Sequence, residues 1–130
     1  MYIPPGFGTV TPYFLVHDAE RFIAFLCDGF DGKEVLRSAH DGRIANAQIV
    51  IGTSTIMVGD MTEQYPARPA SYYLFVEDAD ATMRKALAGG AVQIMEVSDK
   101  PYGDRQGGVR DAWGNLWWIS QRLVEAPYSA

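Results

Sequence analysis

His17, His40 and Cys27 are the only imidazole and thiol groups in this chain of 130 residues. A lone cysteine forms neither an internal disulfide nor a thiolate zinc cluster. Two imidazoles leave any soft-metal site poor in nitrogen ligands. The surrounding residues predict modest roles for all three. His17 ends a strand at a helix entry, His40 borders an Asp41-Gly42 turn in solvent, and Cys27 packs as a small apolar side chain within a helix. Among the carboxylates, Glu77 and Asp78 stand at a helix start, where capping is expected, and Asp60 and Glu63 lie beyond a strand. Gly107-Gly108 is too short to cradle a phosphate, and neither a phosphate loop nor a dinucleotide fingerprint occurs. Nor is there a Ser, His and Asp order with supporting context. Residues 98–108 carry Lys100, Tyr102, Asp104 and Arg105 and are expected to form a polar, glycine-rich loop. Two roles stay open for it. It could close over a ligand, with Arg105 pairing an anionic group, or Asp104 and Arg105 could stabilise the hairpin entering Val109.

The composition narrows the partners. A formal net charge of −5 lacks the basic footprint that nucleic acids and anionic membranes require. Hydrophobic residues at 48% and charged residues at 21% describe an ordinary globular domain rather than a disordered segment. Residues 1–6 lack the basic and apolar regions of a signal peptide, and no apolar run approaches the ~20 residues needed to span a bilayer. A cytoplasmic, reduced protein is the expectation.

These groups must be positioned by elements that the pattern also announces. Residues 9–16 are β-branched and aromatic and predict a strand, with Pro12 at an edge or irregularity because it has no N–H to donate. Asp18 is a candidate N-cap, Glu20 suits the helix dipole, and Phe22, Phe25 and Leu26 form one apolar face to about residue 26 or 27. Gly29 and Gly32 are expected to close that helix. Strands follow at 33–39, 44–51 and 55–58. The proline-bearing stretch 61–69 is the candidate linker. Then the pattern restarts: a strand at 71–76, the candidate N-cap Asp78, a helical face of Met83, Ala86 and Leu87 ended by Gly89-Gly90, and strands at 91–97, 109–111 and 116–119. Residues 112–115 form the turn before the last strand.

The restart is an internal repeat. Val16-His17-Asp18-Ala19 matches Val76-Glu77-Asp78-Ala79 sixty residues later, and the turn glycines Gly52 and Gly114 correspond. Each half reads strand, helix, strand, strand, strand. The fold class is therefore α+β: two βαβββ repeats, about 9–60 and 70–121, within one domain over 1–130. Because about sixty residues bury too little surface alone, the repeats are expected to pair into a curved mixed sheet with a concave cavity and helices on its outer face.

The duplication, the Val-x-Asp start of each helix, and the run Tyr102-Gly103-Asp104-Arg105-Gln106-Gly107-Gly108-Val109-Arg110-Asp111-Ala112-Trp113-Gly114-Asn115 resemble the vicinal oxygen chelate superfamily, within it the PhnB-like branch. That superfamily includes glyoxalase I, bleomycin-resistance proteins and extradiol dioxygenases. The resemblance covers about residues 9–121 and implies a divalent metal held by His or Glu at four strand positions. Here those positions fall on Thr11 and Ser71, each seven residues before a helix-capping aspartate, on Trp118, three residues after Asn115, and near Met57. Hydroxyls, a thioether and an indole do not make such a site, so neither a metal nor a cofactor is expected.

On the implied concave face, strand alternation groups Tyr13 and Leu15 with Thr11, and Tyr73 and Phe75 with Ser71. Asn46, Gln48, Met57, Leu116 and Trp118 join them. Aromatic side chains with sparse polar groups suit a small-molecule pocket, and Tyr13 and Tyr73 are repeat mates whose hydroxyls each need a partner. Thr11, Tyr13, Asn46, Gln48, Met57, Ser71, Tyr73, Phe75, Tyr102, Arg105 and Trp118 are the candidate ligand-binding residues. The resemblance implies a small-molecule binding protein of the bleomycin-resistance type, working as a homodimer on an aromatic or amphipathic ligand. The acidic balance suits a cationic one. The alternative is a glyoxalase-like lyase or isomerase, or a dioxygenase-like enzyme, with an atypical metal site.

Overall fold

Phe22, Ile23, Phe25 and Leu26 are all buried on one side of the first helix, α1 (Ala19–Phe30), as their spacing requires. The computed structural model describes residues 1–129, in two units, Met1–Arg68 and a second that begins at Pro69. In the first unit α1 follows strand β1 (Tyr13–Val16) and precedes β2 (Lys33–His40), β3 (Arg43–Ile51) and β4 (Ser54–Asp60). The sheet order is β1-β4-β3-β2, with β1 and β4 parallel and the other pairs antiparallel. Phe14, Val16, Ala47, Ile49, Ile56 and Val58 alternate onto the buried side, and Phe14 meets Phe22 of α1 with ring centroids 5.2 Å apart. Each fully buried large apolar side chain stabilises by about 1.5–3 kcal/mol, so this layer holds the unit.

Among the boundaries that differ from expectation, two have a clear local reason. The strand expected from residue 9 begins at Tyr13. Pro12 accepts a hydrogen bond from Met57 N at 3.0 Å but has no N–H of its own to return to the ladder. The helix runs through Gly29 to Phe30 because its apolar face continues: Gly29 is buried and the Phe30 ring packs on Phe25 at 5.2 Å. It stops at Asp31, which takes a left-handed φ of 57°, and Gly32 N then reaches back to the Leu26 carbonyl at 3.1 Å. A Cβ at Gly32 would stand 2.9 Å from that oxygen.

The second unit repeats the plan with β5 (Ser71–Phe75), α2 (Ala79–Ala88), β6 (Val92–Asp99), β7 (Asp104–Arg110) and β8 (Leu116–Arg122), in sheet order β5-β8-β7-β6. The predicted α+β fold of βαβββ repeats is therefore present, with a four-stranded mixed sheet in each repeat. Asp18 and Asp78 both cap, accepting from Arg21 N and Ala81 N. The last strand of each sheet also holds its helix start. Ala19 N donates to Asp60 Oδ1 at 2.8 Å, and Ala79 N donates to Gln121 Oε1 at 3.0 Å.

The expected loop at 98–108 is mostly strand. Only residues 100–103 turn, and β7 passes straight through Gly107-Gly108. The two glycines serve close approach rather than chain flexibility. A Cβ on Gly108 would stand 2.8 Å from Trp118, and one on Gly107 would meet Met83 and Val97 within 2.7 Å. Asp111 organises the last hairpin as expected of a turn. Its carboxylate accepts from Trp113 N and Asn115 N, both at 2.9 Å, and from Trp117 Nε1 at 2.8 Å, while Gly114 takes a φ of 87°. No described helix is long and apolar enough to cross a membrane.

Candidate functional site

In the second sheet, Trp117, Ile119 and Val109 lie on the buried side, so Tyr73, Phe75, Trp118, Ser120, Gln106 and Asp104 alternate onto the other. The register sets them in rows. Tyr73 pairs with Trp118 and Trp118 with Gly108; Phe75 pairs with Ser120 and Ser120 with Gln106; Asp104 pairs with Arg122. Trp118 lies on Gly108 and donates its Nε1 proton to Ser71 Oγ at 2.8 Å. Tyr73 and Phe75 keep 47% and 57% of their surface exposed, with ring centroids 5.1 Å apart. Exposed aromatic rings sharing one sheet face form the kind of patch that marks a binding surface.

At the end of that face stands Asp104, with 0% of its surface exposed. Its Oδ2 accepts from Tyr73 Oη at 2.8 Å and from Tyr128 Oη at 2.5 Å, and its Oδ1 accepts from Arg122 Nη1 at 3.0 Å. Burial alone would raise the carboxyl's pKa. The hydrogen bonds from Tyr128, Tyr73 and Arg122 outweigh that and hold it below the ordinary carboxylate value. Burial, then the bond to Asp104, pushes the Tyr128 hydroxyl well above the ordinary phenol range, so it stays a donor. Beside this cluster Tyr102 donates to Gln106 Oε1, and Gln106 Nε2 donates to Ser120 Oγ at 2.6 Å.

Of the residues singled out in sequence, the second sheet gathers Ser71, Tyr73, Phe75 and Trp118 on this face, with Tyr102 in the adjoining turn. Arg105 is placed elsewhere. It alternates to the helix side, where it pairs with Asp80 of α2 at 2.8 Å and with Asp99 at 2.9 Å. Asp104, Gln106, Ser120, Arg122 and Tyr128 were not among the expected site residues. Period-two alternation from Trp118 through Ser120 to Arg122, and from Gly108 back through Gln106 to Asp104, carried the signal for all but Tyr128.

The first sheet sets Tyr13, Met57 and Gln48 in one row, with Asn46 in phase, on the side away from α1. Thr11 precedes β1. The Tyr13 hydroxyl donates to the Ala45 carbonyl at 3.2 Å, and its ring lies against Gly59, where a Cβ would stand 3.3 Å from the hydroxyl oxygen. An open cavity of about 170 Å³ is lined by Tyr13, Leu15, Gln64, Tyr65, Pro66 and Arg68. Pockets for drug-sized ligands run to about 300–1,000 Å³, so this one by itself admits only a fragment. Cys27 is half-buried, and burial pushes its thiol up, away from the reactive thiolate form. His40 is exposed and contacts Asp41 at 3.3 Å.

The donor set does not fit a divalent metal. Ser71 Oγ already accepts the Trp118 indole proton, and an indole N–H offers no lone pair. Thr11 and Met57 supply a hydroxyl and a thioether. Among the described residues no three of His, Cys, Asp and Glu gather in a ligating cluster.

Comparison with known proteins bears on the family and the fold. The family model of the Glyoxalase/Bleomycin resistance protein/Dioxygenase superfamily matches residues 7–119. An uncharacterized protein of Mycobacterium bovis is 30% identical, over 89% of this chain and 84% of its own length. Among solved structures, TioX from Micromonospora sp. ML1 superposes with a TM-score of 0.76 at 28% identity, over 89% of this chain and 100% of its own. TnmS3, an antibiotic binding protein from Streptomyces sp. CB03234, gives 0.71 at 18% identity over 94% and 98%. A PhnB protein from Bacillus cereus gives 0.68 at 19% over 88% and 99%.

Proposed function

The chain belongs to the Glyoxalase/Bleomycin resistance protein/Dioxygenase superfamily, and on that premise we propose that it binds a small aromatic or amphipathic molecule without a metal ion. The ligand lies on the open face of β5 and β8, its rings against Tyr73, Phe75 and Trp118, with Tyr102 at the margin. The chain's net charge of −5 favours a cationic compound, and the faces of Tyr73 and Trp118 suit one. The observation that carries this reading is the pair of half-exposed rings, Tyr73 and Phe75, beside Trp118 and above a fully buried carboxylate. A folding core has no use for aromatic surface left in water. Catalysis through a chelated metal finds no support in the donor set at Thr11, Met57, Ser71 and Trp118. TnmS3, which shares the fold, is an antibiotic binding protein, and small-molecule capture is in keeping with that use of the scaffold. Tyr13, Asn46, Gln48 and Met57 offer a second, more polar surface on the first sheet. The protein works as a homodimer, which sedimentation equilibrium would report as twice the chain mass.

Tryptophan fluorescence tests the binding. Cationic aromatic compounds such as N-methylquinolinium are expected to quench the emission saturably, and Tyr73→Ala should weaken the affinity about tenfold, the ~1.4 kcal/mol scale of one aromatic contact. Emission that stays unchanged across a broad panel at millimolar concentration would sink the proposal.

A further inference from the structure

Residues 123–129 do not leave the sheet after β8. Leu123 N donates to the Gly103 carbonyl at 2.9 Å, and the chain then turns back around the Arg122 side chain, whose Nη2 donates to the Ala126 carbonyl at 2.7 Å. The turn delivers Tyr128 onto the candidate face. Its ring centroid lies 4.1 Å from Arg122 Cζ and 6.5 Å from the Phe75 ring, and its hydroxyl donates to Asp104 Oδ2 at 2.5 Å. Yet Tyr128 keeps 49% of its surface exposed. It is held through its ring face and its hydroxyl, much as a bound small molecule would be, with little apolar burial.

Asp104 explains why the arrangement is selective. Its carboxylate is fully buried and accepts only, so the group that meets it must donate a proton. Arg122 bonds Oδ1 and Tyr73 takes one position on Oδ2, and Tyr128 fills the second position on Oδ2. The guanidinium stacked against the ring favours a π face and repels a cation. A phenolate or carboxylate has no proton to give Asp104, and an ammonium or an aliphatic alcohol has no π face to lay on the guanidinium and Phe75.

We propose that Tyr128 occupies, within its own chain, a subsite for a neutral hydroxyaromatic group of the ligand. That group's hydroxyl would donate to Asp104 while its ring lies on Arg122 beside Phe75. Segment 123–129 is then a strap that the ligand displaces. A cationic charge elsewhere on the ligand is compatible with this, because only the ring bearing the hydroxyl enters the subsite. The inference rests on the proposed binding role of this face and specifies the chemistry recognised there.

p-Cresol, 4-methylanisole and toluene distinguish the hydroxyl from the ring. Each is titrated into the full chain and into Tyr128→Ala and Tyr128→Phe, following backbone amide shifts of β7 and β8. Because the strap competes with the ligand for one place, p-cresol should bind Tyr128→Ala about tenfold more tightly than the wild-type chain. Tyr128→Phe, which keeps the ring and loses the donor, should show a smaller gain. 4-Methylanisole and toluene should gain little, since neither can donate to Asp104. Dispersed amide spectra of both variants would verify folding, and Tyr128→Phe carries the test if Tyr128→Ala unfolds. Equal p-cresol affinity in the variants and the wild type overturns the strap. An equal gain for 4-methylanisole overturns the recognition of a hydroxyl. If p-cresol binds none of the proteins while N-methylquinolinium still quenches the wild-type tryptophans, the hydroxyaromatic subsite falls and the binding role stands. If neither compound binds, both fall.

Discussion

Tyr13 and Tyr73 occupy the same place in the two repeats and use their hydroxyls differently. Tyr13 lies across Gly59 and donates to a backbone carbonyl, that of Ala45, whereas Tyr73 donates to the buried carboxylate of Asp104. Their neighbours diverge in step. Sixty residues before Asp104 stands Ile44, and sixty-one before Arg122 stands Met61, so an ion pair in the second repeat answers two apolar side chains in the first. Where the second repeat carries Ser120 bonded to Gln106, the first carries Gly59 and Asn46. The scaffold has been kept far more closely: both helices start at a capping aspartate, and both take a side-chain acceptor from the end of the last strand, Asp60 or Gln121. A helix start and an apolar layer are needed for any repeat to fold, while the face away from the helix is not. That freedom allows the second sheet to carry a buried polar cluster where the first carries apolar side chains.

The comparison breaks most readily at Asp104. Asp104→Ala strips the acceptor from Tyr73, Tyr128 and Arg122 at once and should destabilise the protein by about 3 kcal/mol in urea unfolding. Ile44→Val, at the corresponding position, should lose about 1 kcal/mol. Equal losses would mean that the two faces do the same structural work.

Acid separates them as well. The Asp104 carboxyl sits below its ordinary value of 3.8 in the folded chain. Its ionised form therefore contributes stability that is fully present above about pH 4 and is lost as the pH falls through the lower folded value. Amide shifts in β7 and β8 should report that loss, and Asp104→Asn should abolish it.

The shared scaffold contact gives a smaller contrast. Asp60 accepts from both Ala19 N and Ile44 N, each at 2.8 Å, while Gln121 accepts from Ala79 N alone. Asp60→Ala should cost about 2 kcal/mol and Gln121→Ala about 1 kcal/mol, because one variant orphans two donors and the other one. Ser71→Ala should have the least effect, about 0.5 kcal/mol or less, since the freed Trp118 indole proton reaches water. A red-shifted tryptophan emission would report the change.

Much of the scaffold is legible in the sequence. Asp18 and Asp78 each combine a capping side chain with an apolar face three to four residues on, and the sixty-residue repetition announced that one plan is used twice. Those signals are local. Tyr13, Tyr73 and Trp118 were legible as face residues for the same reason, since alternation along one strand assigns a side. Residues 98–108 have the glycines and charges of a loop yet form strand, because Gly108 is small to admit the Trp118 ring from the neighbouring strand.

The amino-acid sequence by itself determined the duplicated βαβββ plan and the helix starts, because each follows from residue type and short-range period. Only the tertiary structure decided that Arg105 turns to Asp80, twenty-five residues away, and that Asp104 is buried between Arg122 and two tyrosines. It alone brought Tyr128 onto the candidate face. Alternation assigns such residues a face but not a partner; they meet because strand register and a chain reversal place them within hydrogen-bond reach, where a buried carboxylate needs every donor available.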